Sequence, residues 1–230
     1  MIVSRFVETT MKKQTIKIAP SILSADFSCL GKEIADVSNA GADYIHVDVM
    51  DGHFVPNLTI GPVVIKSIRP ATNLPFDVHL MIENPGKYIK EFSDAGADII
   101  TFHHEAVANP SEIIKQIKSL GKKAGISIKP KTNPEVIKKL ITELDLILVM
   151  SVEPGFGGQS FMPDSLDKLK SLRQWIDESG KNIDLEVDGG INPATAKQVI
   201  AAGANVLVAG SAIFKHNPDD YYKNIELLRS

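Results

Sequence analysis

A single α/β domain folded as a (β/α)8 TIM barrel is the architecture this sequence predicts, on three observations. Short apolar runs alternate with helical patterns along almost the whole chain, and strict alternation of that kind means a parallel sheet. The phrase Ala40-Gly41-Ala42-Asp43 returns as Ala95-Gly96-Ala97-Asp98 and as Ala202-Gly203-Ala204-Asn205. Successive copies are 55 and 107 residues apart, one and two multiples of a pair of βα units of ~27 residues each. Five Asn-Pro pairs, finally, stand where helices should begin. Eight such units fill the chain; the rival arrangement is an open doubly wound sheet.

The elements follow in order. The first strand lies near 16–20 and its helix over 28–40, closed by Gly41 at a C′ position that favours a left-handed backbone. The second strand, near 43–49, precedes a helix over 61–69. The third, near 75–80, leads to a helix over 84–95 that Asn84-Pro85 opens and Gly96 closes. The fourth and fifth, near 98–103 and 123–128, precede helices over 110–120 and 134–142, opened by Asn109-Pro110 and Asn133-Pro134. The sixth, near 145–151, contains the run Leu146 to Met150 and is followed by a helix over 163–179. The seventh, near 183–188, feeds a helix over 193–202 between Asn192-Pro193 and Gly203. The eighth, near 205–209, feeds one over 218–228 after Asn217-Pro218.

The 230 residues suit one domain, and 43% hydrophobic content is enough for a large core. Net charge of −3 and a pI near 6.1 exclude a nucleic-acid or anionic-membrane surface as the organising feature. The single cysteine, Cys29, forms no internal disulfide, and its neighbours Phe27 and Leu30 suggest that it is packed; this fits a reducing cytosol. No apolar run is long enough to span a bilayer. Met1 to Gln14 lacks an apolar signal region and is expected to be a mobile tail, with the barrel over 15–230 and Met11 a candidate start.

Three strands end in acid and histidine: His46-Val47-Asp48-Val49-Met50, Asp77-Val78-His79-Leu80-Met81 and Leu185-Glu186-Val187-Asp188-Gly189-Gly190. Alternate residues of a strand share a face, so His46 and Asp48 point together, as do Asp77 and His79, and Glu186 and Asp188. Any one alone reads as a satisfied core residue. Four groups (His46, Asp48, His79 and Asp188) at the C-terminal ends of strands in one barrel read as an active site with a divalent cation. Asp77 and Glu186 lie one strand turn deeper, where partners that orient ligands belong. His103 and His104 end the fourth strand without a decided role, and His53 and His216 read as surface residues.

Gly155-Phe156-Gly157-Gly158-Gln159, Gly189-Gly190 and Gly210-Ser211 follow the sixth, seventh and eighth strands. Singly these are turn glycines; together they favour a phosphorylated ligand held by backbone N–H groups. Neither G-x-x-x-x-G-K-[ST] nor G-x-G-x-x-G occurs, so ATPase and dinucleotide readings find no support. The stretch Gly155 to Pro163 is a candidate lid. Met50, Met81 and Met150 are core filler or the floor of an apolar pocket. Two aspartates on strands two and seven, facing each other across a barrel mouth, suit proton abstraction beside a carbonyl and return of a proton to the opposite face.

The stretches Ala19 to Phe27, His46 to Asn57, Asp77 to Met81, Pro154 to Gln159 and Glu186 to Ile191 resemble those of ribulose-phosphate 3-epimerases, in that order and from about Ile16 to the C-terminus. The resemblance implies a barrel of the ribulose-phosphate-binding type. It further implies one divalent cation on His46, Asp48, His79 and Asp188, where mixed nitrogen and oxygen donors suit Zn, Fe(II), Co or Mn. Asp48 and Asp188 are implied as the proton acceptor and donor. Implied substrate contacts are Ser21, His79, Gly155, Phe156, Gly157, Gly158, Asp188, Gly189, Gly190, Gly210 and Ser211. The expected activity interconverts D-ribulose 5-phosphate and D-xylulose 5-phosphate in the cytoplasmic pentose phosphate pathway, in a homo-oligomer. The alternatives are a 3-epimerase of a six-carbon ketose phosphate such as allulose 6-phosphate, and a non-catalytic sugar-phosphate sensor. Decarboxylase relatives carry D-x-K-x-x-D on strand three, where this chain reads Asp77-Val78-His79-Leu80-Met81-Ile82.

Overall fold

Strand β1 (Lys17–Pro20) pairs with β8 (Val206–Ala209). From there the hydrogen-bonded order runs back through β7 (Asp184–Asp188), β6 (Leu146–Met150), β5 (Lys123–Ile128), β4 (Ile99–His103) and β3 (Phe76–Met81) to β2 (Ile45–Met50). Every pairing is parallel, and a bridge between Ser21 and His46 returns the end of β1 to β2. The sheet therefore closes on itself, which removes the open doubly wound alternative. The computed structural model describes residues 15–215 and 217–230; the tail expected over 1–14 and the surface position expected for His216 lie outside the described residues.

Each strand falls within two residues of its expected place. Around them run α1 (Leu30–Asn39), α2 (Pro62–Ile68), α3 (Ile89–Ala95), α4 (Pro110–Ser119), α5 (Ser165–Ser179), α6 (Pro193–Ala201), α7 (Ser211–Phe214) and α8 (Tyr221–Arg229). The segment Pro134–Glu143 winds as a 3-10 helix rather than an α-helix, and the tighter winding still sets Ile137 and Ile141 into the core. Asn84 does not start an α-helix as expected. Preceding Pro85, it is driven out of the right-handed region and takes φ 49, opening only a 3-10 turn before α3 begins at Ile89. Asn109 makes no side-chain cap either. Asn192 does: its Oδ1 accepts from Ala194 and Thr195 N–H at 2.9 and 3.2 Å, and Thr195 Oγ1 accepts in return from Asn192 N–H. Helix α7 is too short for any periodicity to announce it. Phe27 is 46% exposed, contrary to the packing expected around Cys29, because Asp26 caps Ser28 N–H and sets a 3-10 turn Phe27–Cys29 that leaves Phe27 outside.

Two cores result from the strict alternation along the strands. Outward residues such as Val47, Val78, Ile126, Val149 and Val187 pack under the helices. The lumen is filled as well, and its halves differ. Ala19, Leu146, Leu148, Met150, Val206 and Val208 form an apolar half from β1, β6 and β8. The other half carries His46, Asp48, Asp77, His79, Thr101 and Ser127, and Glu186 of β7 faces it from between β6 and β8, all buried. At the N-terminal end the Lys17 ammonium bonds both Asp184 oxygens and the Tyr44 hydroxyl at 2.8–2.9 Å, and Asn205 Nδ2 donates to Asp184 at 2.7 Å. This clasp ties β1, β7 and β8 at the end of the barrel associated with stability.

Gly41, Gly96 and Gly203 close their helices with φ of 93, 109 and 106°, as the repeated phrase predicted. At Gly203 a Cβ would also meet the Arg173 side chain at 2.6 Å. Gly203→Ala should therefore cost about 1–3 kcal/mol. Gly31, in the first turn of α1 with open space around it, should behave oppositely, Gly31→Ala adding about 0.5–1 kcal/mol. Urea unfolding midpoints of the two variants measure both signs.

Candidate active site

Register assembles the site. In the β2–β3 ladder His46 stands opposite Asp77 and Asp48 opposite His79, so two acid–histidine pairs are stacked in successive rows of the lumen. In the deeper row His46 Nδ1 lies 2.6 Å from Asp77 Oδ2, with Glu186 Oε1 at 3.8 Å. In the row above, Asp48 Oδ1 lies 3.3 Å from both His46 Nε2 and His79 Nδ1, while Ser21 Oγ donates to Asp48 Oδ2 at 2.6 Å. Asp188 reaches the same point from β7. One ligand atom from each of His46, Asp48, His79 and Asp188 lies within 4.8 Å of all the others. The sequence placed these four together, and the structure brings them together.

The charges of these groups are set by burial and by one another. Burial opposes a charge on His46, but Asp48 and Asp77 outweigh it and hold the imidazole well above its usual range. Burial likewise opposes ionisation of Asp48, and His46 with the neighbouring His79 nonetheless keep it below the ordinary carboxylate range. Burial lowers His79. Asp188 goes the other way: burial, then the charge of Asp48, push it up to about 7. Buried Glu186 is raised well above its usual range, with Asp77 as the second cause.

This donor set fits a divalent cation. Bonded to Asp77 through Nδ1, His46 turns Nε2, a buried atom without a hydrogen-bond partner, toward the Asp48 oxygen that His79 Nδ1 also faces, and loss of the Nε2 proton would free it to ligate. Two imidazole nitrogens and two carboxylate oxygens in that space suit a first-row metal ion better than calcium or magnesium. Asp77, one row deeper, orients His46, as expected from its place on the strand.

Above the cluster lies a cavity of about 430 Å³, floored by Asp48, Asp188, Met50, Met81 and Met150. The glycine loops Gly155–Gly158, Gly189–Gly190 and Gly210–Ser211 and the side chain of Ser21 all line it. At Gly190, φ is 64° and a Cβ would fall on the backbone of Phe161, so only glycine permits these two loops to approach each other. The loop after β6 is pinned by Asn57 Nδ2 donating to Gly155 O at 2.8 Å and Met162 N–H donating to Ser151 O at 2.9 Å; its Phe156 is exposed at the rim. His53 is exposed, as expected. Sequence reasoning left His103 undecided and passed over Glu105. In the structure His103 is fully buried against His79, with Nε2 atoms 2.9 Å apart, and Glu105 bonds its other nitrogen.

Carboxyl groups this deep in a barrel mouth, one held below and one above the ordinary range, define an acid–base enzyme of the (β/α)8 class. A family model described as the ribulose-phosphate 3 epimerase family matches residues 17–214. The ribulose-phosphate 3-epimerase of Bacillus subtilis (strain 168) is 56% identical, over 86% of this chain and 92% of its own length. That of Synechocystis sp. is 53% identical over 94% of each chain, and that of Escherichia coli (strain K12) 51% over 93% and 94%. The chain belongs to the ribulose-phosphate 3-epimerase family. Among solved structures, a mutant tryptophan synthase α-subunit of Pyrococcus furiosus superposes with a TM-score of 0.66 at 15% identity, covering 94% of each chain. A 3-hexulose-6-phosphate synthase does so at 0.62 and 20%, over 94% of this chain and 98% of its own; these two share the fold.

Asp188 also links stability to pH. In cation-free protein the unfolded chain loses this proton near the usual 3.8, whereas the folded chain holds it to about 7. Between those values the native state binds more protons than the unfolded one, so this group's contribution to stability falls as pH rises. Asp188→Asn should remove that contribution, leaving the variant relatively more stable than its parent above pH 7 than below pH 4. Urea midpoints in chelator across the window measure the difference.

Proposed function

We propose that the protein interconverts D-ribulose 5-phosphate and D-xylulose 5-phosphate by exchanging the C3 proton between Asp48 and Asp188, beside one divalent cation held by His46, Asp48, His79 and Asp188. The observation that carries this reading is the convergence of those four side chains, two of which, Asp48 and Asp188, line the floor of a glycine-rimmed cavity. Family membership supports it, since the relatives bear the name of that epimerase.

Inversion at a carbon requires proton removal on one face and delivery on the other. Asp48 comes from β2 and Asp188 from β7, with β1 and β8 between them, so the two carboxyls approach a bound substrate from different sides. Asp48, held ionised, is ready to accept a proton. Asp188, which burial and the charge of Asp48 push up to about 7 in the cation-free protein, is the carboxyl with the greater hold on a proton, suited to deliver one to the opposite face. In the reverse direction the roles exchange. Ser21 fixes the Asp48 carboxylate through Oδ2 and leaves Oδ1 to the histidines. Met50, Met81 and Met150 keep the reacting carbon in apolar surroundings, where electrostatic interactions are strong. When bound, a cation supplies Lewis-acid stabilisation of the negative charge that proton removal leaves on the sugar. The mixed nitrogen and oxygen donors suit Zn, Fe(II), Co or Mn.

The glycine loops after β6, β7 and β8 hold the phosphate through backbone N–H groups in this reading. Action on a free metabolite in the cytosol fits the lone cysteine; no described helix is long and apolar enough to cross a membrane. Assembly as a homo-oligomer remains part of the proposal on family grounds.

Turnover of ribulose 5-phosphate in heavy water should place deuterium at C3 of the product and, on reversal, of the substrate; turnover without label sinks the reading. Asp48→Asn and Asp188→Asn should each lower epimerisation by about 10²–10⁴-fold. Each metal-loaded variant should still exchange the C3 hydrogen of one epimer only, the one facing its remaining carboxylate; equal exchange of both epimers would show that the faces are not divided. Purified protein should carry about one divalent ion per chain. Prolonged chelation should abolish turnover and re-addition restore it, whereas full activity in protein shown metal-free by elemental analysis contradicts the assignment.

A further inference from the structure

None of the steps above uses the buried groups on the far side of His79. His103, the last residue of β4, is fully buried, with its ring centroid 4.9 Å from that of His79 and its Nε2 2.9 Å from His79 Nε2. Its Nδ1 lies 3.2 Å from Glu105 Oε2, on a side chain only 21% exposed. The second Glu105 oxygen accepts from Lys129 N–H at 2.8 Å and from the Thr132 hydroxyl. That loop is itself anchored. The Lys168 ammonium of α5 donates to the carbonyls of Lys129 at 3.1 Å, Thr132 at 2.6 Å and Pro130.

The partners dictate where the protons sit. A carboxylate only accepts, so His103 Nδ1 carries hydrogen. Burial disfavours a charged ring there, so His103 Nε2 is bare. Two bare nitrogens 2.9 Å apart would repel, and His79 Nε2 therefore holds the proton between them. His79 Nδ1 is left as a lone pair 3.3 Å from Asp48 Oδ1, two acceptors that a cation held by both would reconcile. His46 obtains the equivalent polarity directly from Asp77; His79 obtains it through a second imidazole.

We propose that Glu105, acting through His103, fixes the tautomer of His79 so that Nδ1 is presented as a bare ligand to the cation cluster. This rests on the cation assignment proposed above. Both are positioning residues: neither is among the residues lining the cavity, and their effect on the reaction passes through His79. The Asp51–Phe54 loop participates from above, with the Phe54 ring 4.7 Å from that of His103 and the Lys129 ammonium 3.9 Å over Phe54, closing the pair off from solvent.

Two measurements test this. In zinc-loaded parent protein, long-range 1H–15N correlation should show His79 protonated on Nε2 and bare on Nδ1; a proton on Nδ1 overturns the proposal without any variant. In Glu105→Gln, the amide oxygen keeps Lys129 and Thr132 while the amide nitrogen donates to His103 Nδ1. The relay then reverses and places the His79 proton on Nδ1. Zinc affinity, measured by competition with a chromogenic chelator, should weaken by about 10–100-fold, with the circular dichroism spectrum unchanged and the KM of zinc-loaded enzyme close to the parent's. Thr132→Val loosens the same loop without reversing a proton and should leave zinc affinity near the parent value. Equal losses in both variants would reduce Glu105 to a structural anchor and overturn the proposal. Unchanged affinity in Glu105→Gln beside normal binding by the parent overturns this inference alone. A parent that binds no zinc, manganese, cobalt or iron overturns it together with the cation assignment.

Discussion

Burying six ionisable groups (His46, Asp48, Asp77, His79, His103 and Glu186) in the lumen of a barrel is the constraint that the remaining architecture satisfies. An unpaired charge in such a place costs several kcal/mol, more than a fully buried isoleucine or leucine contributes, about 1.5–3 kcal/mol. The apolar residues under the helices can carry that load only because the polar groups are arranged in pairs. Parallel register supplies the pairs: His46 beside Asp77, Asp48 beside His79. What pairing leaves over is concentrated where a ligand belongs. His46 Nε2 and both Glu186 oxygens are buried without hydrogen-bond partners, and a cation and exchangeable protons are the natural occupants of such surroundings.

The barrel thus divides its labour by end and by side. Its N-terminal end is tied by the Lys17, Tyr44, Asp184 and Asn205 clasp, which touches nothing reactive. Its C-terminal end keeps the unmatched charges and the loops that need glycine. Across the lumen, the apolar residues of β1, β6 and β8 give the polar half of β2, β3 and β4 a low-dielectric wall, and the same wall keeps Asp188 from ionising easily. The loops and the strands meet at Met50, Met81 and Met150, which are at once core residues and cavity floor.

Much of this was legible in the chain because the relevant spacings are short. Period-two alternation put His46 with Asp48 and Glu186 with Asp188, and glycine at a helix end predicted the left-handed backbone of Gly41, Gly96 and Gly203. Other features depend on contacts that no local pattern encodes. Ser21 reaches Asp48 only because β1 and β2 meet when the barrel closes. The role of His103 depends on Glu105, whose own position is set by a loop after β5 and a lysine of α5. The late start of α3 was misread, since Asn-Pro looks alike whether asparagine caps a helix, as at Asn192, or takes a left-handed turn, as at Asn84; the 3-10 winding of Pro134–Glu143 follows a proper Asn133 cap and left no mark in the periodicity.

The bridge between Ser21 and His46 has a consequence for how this protein comes to exist. It is the seam at which the first and second strands meet, and it lies within the charged cluster. A chain whose first strand has not yet docked holds its acids and histidines beside an open, wet edge, where water screens them and they exert little strain. Closing the seam removes that water and completes the site in the same movement. A barrel whose first strand is undocked therefore leaves Asp48 without the Ser21 hydroxyl and exposed to water at the open edge.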